Sequence, residues 1–344
     1  MIPPPQPPPS GRGRGLKLAL AALVVVLLVG AGAGYWLWTR PTVLKSPGGQ
    51  TTKTSAHAPS PSAQTVKPNL PALGPQSELK LEGLKRVRGV AVDGAGNVYV
   101  LAVKGDNTVV LRLTMGLSSQ PDPAELPFHG LKDAIGIAVD ASGRNIYVTD
   151  GAREGRLMRW TEGEMIEATE LGNWKTPANK LKDPHGVAVD ASGNIYVADT
   201  KNNRVLRVKA NATAESADVE VLRLKVHEPV GVAVDARGIY VIDHGGDQHK
   251  SRLLKLPSGA NTNQEEVSIT DLDDPSGVAV NGAGDVYITD SRDHEVLKVP
   301  AGATNASPLP FTDLAKPTGV AVDASGNIYV SDDELAGVVT RHEG

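Results

Sequence analysis

The chain has 344 residues, of which 40% are hydrophobic, two are Phe and none is Cys. It therefore has no disulfide framework, no thiolate metal ligand and no thiol nucleophile, and its core must be built from Val, Ile, Leu and Ala. Seven of the 35 Lys/Arg and one of the 39 Asp/Glu fall in residues 1–79, which leaves 28 basic and 38 acidic side chains, a net of −10, for residues 80–344. Binding to nucleic acid needs the opposite sign, so no nucleic-acid partner is expected.

In chain order, residues 1–15 open with MIPPPQPPPS, too rich in proline for a helix and suited to an extended cytoplasmic tail. Residues 16–38 are expected to form a transmembrane signal-anchor. Within them LALAALVVVLLVGAGAGYWLW (18–38) carries no charge, and as a helix it would be about 31 Å long, the thickness of a bilayer core. Tyr35, Trp36 and Trp38 cluster at its far end, and Arg12, Arg14 and Lys17 precede it. That arrangement predicts a single-pass protein of the cell membrane, N-terminus cytoplasmic and the remainder extracytoplasmic. Ala31-Gly32-Ala33 offers an alternative, cleavage by a signal peptidase. Residues 39–76, rich in Pro, Ser and Thr, read as a flexible linker with a coil span of about 35 Å.

From there one phrase recurs six times. It begins at Gly89, Gly136, Gly186, Gly231, Gly277 and Gly319, at spacings of 47, 50, 45, 46 and 42 residues. The copies at 186–197 and 319–330, GVAVDASGNIYV, are identical. Six of the seven tyrosines (Tyr99, Tyr147, Tyr196, Tyr240, Tyr287 and Tyr329) fill one slot of the phrase. The β-branched runs GVAV and NIYV, separated by Asp-x-x-Gly-Asn, predict a hairpin whose Asp bonds the turn backbone. A third run follows each hairpin, at 109–113, 156–160, 204–208, 252–256, 295–299 and 338–341. A weaker fourth run is visible at 164–171, 219–224 and 266–270. Four short strands in a unit of about 45 residues is a propeller blade. The sixth unit reaches Gly344 without a fourth strand. The segment SELKLEGL (77–84) is expected to supply it and to close the ring, covering an edge that would otherwise be open.

The phrase P-x-GVAVD-x-x-GN-I/V-YV-x-D, with N-x-R after it in DTKNNRVLRV (199–208), resembles the NHL repeat over residues 77–344. The resemblance implies a six-bladed propeller, in agreement with the strand count. Apolar segment, linker and six such repeats together resemble the extracytoplasmic sensor half of mycobacterial serine/threonine kinases of the kinase D type. The residues before the apolar segment contain neither a glycine-rich phosphate loop nor a catalytic-loop pattern, so signalling is expected to need a separate partner.

NHL-like propellers include metal-dependent lyases and lactonases, which the sequence can be tested against. The residues before the six glycines are Arg88, Ile135, His185, Val230, Ser276 and Thr318. One His is too few where a catalytic metal wants about three converging ligands. Asp150, Asp199, Asp243, Asp290 and Asp332 end the second strand in five of the six repeats, Ala102 taking the slot in the first. Such recurrence points to capping of the local backbone, not to a catalytic acid. The loops that differ between repeats are more informative. Repeat three offers Arg204; DHGGDQHKS (243–251) brings His244, Asp247 and His249; DSRDHE (290–295) brings Arg292 and His294; and DDE (332–334) brings Glu334. The His-x4-His spacing has the composition of a zinc site, but a glycine-rich loop fixes ligands poorly. Second-to-third and fourth-to-first connections emerge on one side of a propeller, so these residues, with Arg88 and His185, form the candidate binding face. The expectation is an all-β, six-bladed NHL-type propeller behind a single transmembrane helix and linker. It would act as a binding or sensor module for a protein, peptide or cell-envelope ligand, without cofactor or metal. A lyase or lactonase and a structural envelope assembly factor are the alternatives.

Overall fold

The computed structural model describes residues 73–115, 123–151, 154–172, 180–213, 215–246, 250–260, 263–267, 269 and 272–343. The tail, the apolar segment 16–38 and nearly all of the linker 39–76 lie outside the described residues. Among the described residues no helix is long and apolar enough to cross a membrane.

Strand β1 (Gln76–Lys80) precedes blade one, which is β2 (Leu84–Val92), β3 (Val98–Lys104), β4 (Asn107–Leu113) and β5 (Pro123–Leu126). Blade two is β6 (Ala134–Val139), β7 (Asn145–Asp150), β8 (Arg156–Thr161) and β9 (Thr169–Glu170). Blade three is β10 (Pro184–Val189), β11 (Ile195–Asp199), β12 (Arg204–Val208) and β13 (Val219–Val221). Blade four is β14 (Pro229–Asp235), β15 (Gly238–Asp243), β16 (Arg252–Pro257) and β17 (Glu265–Val267). Blade five is β18 (Pro275–Val280), β19 (Val286–Asp290), β20 (Glu295–Val299) and β21 (Ser307–Pro308). Blade six has β22 (Pro317–Val322), β23 (Ile328–Asp332) and β24 (Val338–His342), and β1 completes it in the order β1-β24-β23-β22.

The ring thus closes as the sequence predicts, with Gln76 opposite His342 and Lys80 opposite Val338. The closing strand is shorter than expected. Gly83 takes φ 76° in a turn, and Leu84 already belongs to β2. The outer strands are also shorter than the runs that suggested them, because only two or three residues of β9, β13 and β17 find ladder partners.

The hairpin turns follow their sequence. In blade one Asp93 accepts from Ala95 N and Asn97 N at 2.9 Å each, from Asn97 Nδ2 at 2.8 Å and from the Tyr99 hydroxyl at 3.1 Å. Blade five reverses the pair, and Asn281 accepts from Asp285 N at 2.9 Å. Blade four lacks one residue of the phrase, so Asp235 pairs directly with Gly238. A hollow of about 650 Å³ opens beside that shortened turn, between blades three and four, lined by Tyr196, Arg207, Leu222, Ile239 and Leu256 among others.

The core is a set of layers between neighbouring blades. Tyr99, Leu101 and Val110 of blade one pack on Ile137, Ile146, Val148 and Trp160 of blade two. Each large side chain buried this way contributes about 1.5–3 kcal/mol. All six propeller tyrosines have pKa values raised chiefly by burial, those of Tyr196 and Tyr329 to about 12. The neutral phenol is therefore favoured in the folded ring. The resulting stability is intact below the unfolded value of about 10 and is lost as pH rises toward the folded values. In an alkaline titration followed by phenolate absorbance, these six should ionise only as the ring unfolds. Six normal ionisations in a ring that stays folded by circular dichroism would contradict this.

Candidate functional site

Six inner strands surround the central channel, and the leading glycines allow them to approach. A Cβ on Gly277 would lie 2.5 Å from the Thr318 carbonyl oxygen of the next blade, and one on Gly231 2.8 Å from that of Ser276. The residue after each glycine (Val90, Ile137, Val187, Val232, Val278 and Val320) lines a cavity of about 460 Å³ in the channel. Its wall is therefore aliphatic all round.

Its mouth is charged all round. The residue three before each glycine is Arg86, Asp133, Asp183, Glu228, Asp274 or Lys316, and all six line the cavity. The buried aspartates hold these lead-in segments in place. Asp150 accepts from Asp133 N at 2.8 Å, Asp290 from Asp274 N at 3.0 Å and Asp332 from Lys316 N at 2.8 Å. Each of the five recurrent aspartates is fully buried. They are scaffold, but scaffold that positions the charge of the mouth. In blade one, where Ala102 stands instead, the inner strand is longer and pairs back to Lys104.

In blades three to six the residue after that slot latches onto the next blade. Thr200 Oγ1 donates to the Pro229 carbonyl at 2.8 Å, His244 Nε2 to that of Pro275 at 2.7 Å and Ser291 Oγ to that of Pro317 at 2.8 Å. Asp333 accepts from Arg86 Nε at 2.9 Å. Further ion pairs join Arg88 to Asp133 and Lys201 to Glu228, both at 2.7 Å. The charges of the mouth thus stand on lead-in segments that buried aspartates hold in blades two to six.

Of the residues expected on the binding face, Arg88, His185 and His244 line the cavity. Burial holds the His185 pKa below its ordinary value, and nearby His244 acts in the same direction, outweighing Asp183 and Asp133. His185 is therefore neutral at pH 7. Arg204 lies outside the cavity lining, with Nε 2.7 Å from Asp199 Oδ2. Arg292 is exposed and 3.1 Å from Asp273. His294 has φ 55° and donates through Nδ1 to the Ala315 carbonyl at 2.5 Å. Glu334 is exposed, its backbone N–H bonded to Asp332 at 2.9 Å. Asp247 and His249 lie outside the described residues. The six-membered ring of charge escaped the sequence reading, although the aligned repeats carry its signal: the position three before the glycine is ionisable in every copy. Among the described residues no group of three or more His, Asp or Glu is arranged to hold a metal ion.

An NHL-repeat family model matches residues 181–207 and 272–299. With the sheet topology, this makes the chain a six-bladed β-propeller containing NHL repeats. No curated protein matches it at a significant level. Solved structures do. The nidogen/laminin complex contains a chain 18% identical, with 69% of this chain and 85% of that chain covered and a TM-score of 0.57. Virginiamycin B lyase from Staphylococcus aureus, solved with quinupristin, is 14% identical (78% and 99% covered, TM-score 0.55). A gluconolactonase from Xanthomonas campestris is also 14% identical (79% and 91% covered, TM-score 0.60). At these identities the similarity is one of fold.

Proposed function

We propose that the protein is a membrane-anchored, extracytoplasmic binding module. On this reading it captures a protein, peptide or cell-envelope ligand on the face where the channel opens and relays occupancy to a separate signalling partner. The observation that carries the reading is the channel mouth. It combines an aliphatic cavity with a ring of fixed charges that differ from blade to blade, on a scaffold whose repeated parts are committed to holding it. The similar chain in the nidogen/laminin complex belongs to an assembly of two proteins, which lends general support.

Affinity capture from envelope extracts with the full chain tests this. Arg88→Glu places a third acid beside Asp133 and Asp333, and partner recovery should fall by about tenfold or more. Ile166→Ser, at the most exposed large apolar side chain among the described residues, should leave recovery unchanged. Equal recovery with both variants would refute the reading. The alternative, an enzyme of lyase or lactonase type, draws on the two histidines at the mouth. Stoichiometric divalent metal in the purified protein, lost in His185→Ala, would favour it.

A further inference from the structure

Blades one to three each carry an arginine on the third strand, opposite the tyrosine of the second. Arg112 faces Tyr99, Arg159 faces Tyr147 and Arg207 faces Tyr196. In the first two the guanidinium reaches across to the next blade through Nη1. Arg112 donates to Glu162 at 2.6 Å and Arg159 to the Ala212 carbonyl at 3.2 Å. Arg207 does not. It holds Glu220 of its own blade through Nη2, and among the described residues it has no partner in blade four.

Two local changes in blade four account for the difference. Glu162 stands immediately after β8, its N–H bonded to the Arg144 carbonyl at 2.8 Å; the corresponding residue after β16 is Ser258, its N–H bonded to the Arg237 carbonyl at 2.8 Å. The shortened turn removes a second contact. The Tyr99 hydroxyl lies 3.2 Å from the Gly143 carbonyl of the next blade, whereas that of Tyr196 meets Asp190 of its own blade at 3.0 Å. Tyr196, Arg207 and Ser258 all line the hollow of about 650 Å³ that remains between blades three and four, a size in the range of ordinary ligand pockets. Its acids are committed. Asp190 accepts from Ser192 N at 2.8 Å and Asn194 N at 2.9 Å, Asp235 accepts from Arg237 Nη1 at 2.9 Å, and Glu220 has Arg207. Arg223, also in the lining, is exposed and makes no ion pair among the described residues.

From this comparison we propose that the hollow binds a carboxyalkyl group of the glutamate type, in the place that Glu162 fills between blades one and two. Arg207 receives the carboxylate through Nη1, and Arg223 adds positive charge to the same lining. The methylenes lie against its aliphatic part, Leu222, Ile239 and Leu256. A carboxamide of the same shape loses the charge-assisted contact, and an ammonium in that place is repelled by Arg207. The turn between the first two strands of a blade lies at the end away from the channel mouth. This site is therefore separate from the mouth and independent of the binding reading above.

Calorimetric titration of the full chain with three blocked tripeptides tests this. They are acetyl-Gly-Glu-Gly-amide and its glutamine and lysine counterparts, with butyrate as a fourth probe. The glutamate peptide should bind about tenfold or more tighter than the other two peptides, the discrimination expected of a charge-assisted contact. Arg207→Gln removes the receiving group and should weaken binding about fivefold or more. Ser258→Glu removes no ion pair. It supplies from blade four the carboxylate that Glu162 supplies from blade two, and should weaken binding about tenfold or more by occupying the place. Arg159→Gln, at the same position one blade earlier, should leave the affinity unchanged, and a thermal melt of each variant checks the fold. Butyrate bound as tightly as the glutamate peptide would identify a free carboxylic acid as the source, and a clear advantage for the peptide a chain-borne glutamate. Glutamine or lysine peptides bound as tightly as glutamate, no probe bound at all, or a folded Ser258→Glu protein that binds as the parent does, would each overturn the proposal.

Discussion

Excising Gln76–Lys80 should lower the melting temperature by more than about 10 °C, or prevent the ring from folding, because a lost contact of 1 kcal/mol already moves a domain of this size by roughly 2–4 °C. The strand contributes a five-residue ladder against β24. It also brings Leu79, 3% exposed, into the layer formed by Val339, Tyr329 and Val100, and leads into Leu81, 5% exposed. Losing one buried leucine costs about 2–5 kcal/mol, and the uncovered edge of β24 would add a tendency to associate. The conservative version is Leu79→Ala, which keeps the backbone ladder and should show the leucine term alone. A melting temperature unchanged by the excision would mean that β24 does not need β1 and that the ring is closed by other contacts.

Asp243→Ala should cost on the order of 3 kcal/mol, because it breaks a buried ion pair and strands a backbone donor. Asp243 is fully buried; it accepts from His227 N at 2.7 Å and from Arg252 Nε and Nη2 at 3.0 and 2.9 Å. Arg252 keeps some access to water, which limits the penalty on its side. The lead-in segment carrying Glu228 would lose its anchor, so ligand capture should weaken along with stability. Chemical denaturation of the variant, compared with His244→Ala in the same loop, separates the two roles. The histidine change should reduce stability by less, since it removes one part-buried hydrogen bond and no buried ion pair. Similar losses from both would show that the aspartate is not the structural member of the loop.

The contrast between these residues explains what the sequence revealed. The hairpins were legible because their physics is local: Asp93, Asn97 and Tyr99 interact within seven residues, and a β-branched run on either side fixes the rest. The ring closure was legible because a blade missing its fourth strand demands one. Blade four's missing turn residue was equally visible in GVAVDARGIYV, but the hollow it leaves depends on the neighbouring blade and could not be read from one repeat. The site was harder for the same reason. Arg88, His185 and His244 line one cavity only because blades 45 to 50 residues apart in sequence stand around one axis. The ring from Arg86 to Lys316 shows no contrast within any single repeat, since one charged residue before a strand is unremarkable. Its meaning appears only when six copies are placed around one axis.

The closing strand has a mechanical consequence. β1 and β24 run antiparallel, and Gln76, the first residue of one, faces His342, near the end of the other. A pull on the chain before Leu73 therefore reaches the Gln76 end of the ladder first. That end is where the cross-links concentrate. Gln76 exchanges hydrogen bonds with Thr312 at 2.9 and 3.1 Å, Gly74 N donates to the Glu343 carbonyl at 2.8 Å, and the buried His342 ring lies between the carbonyls of Gly74 and Pro310. These few contacts meet such a load before any contact of the other five blades does.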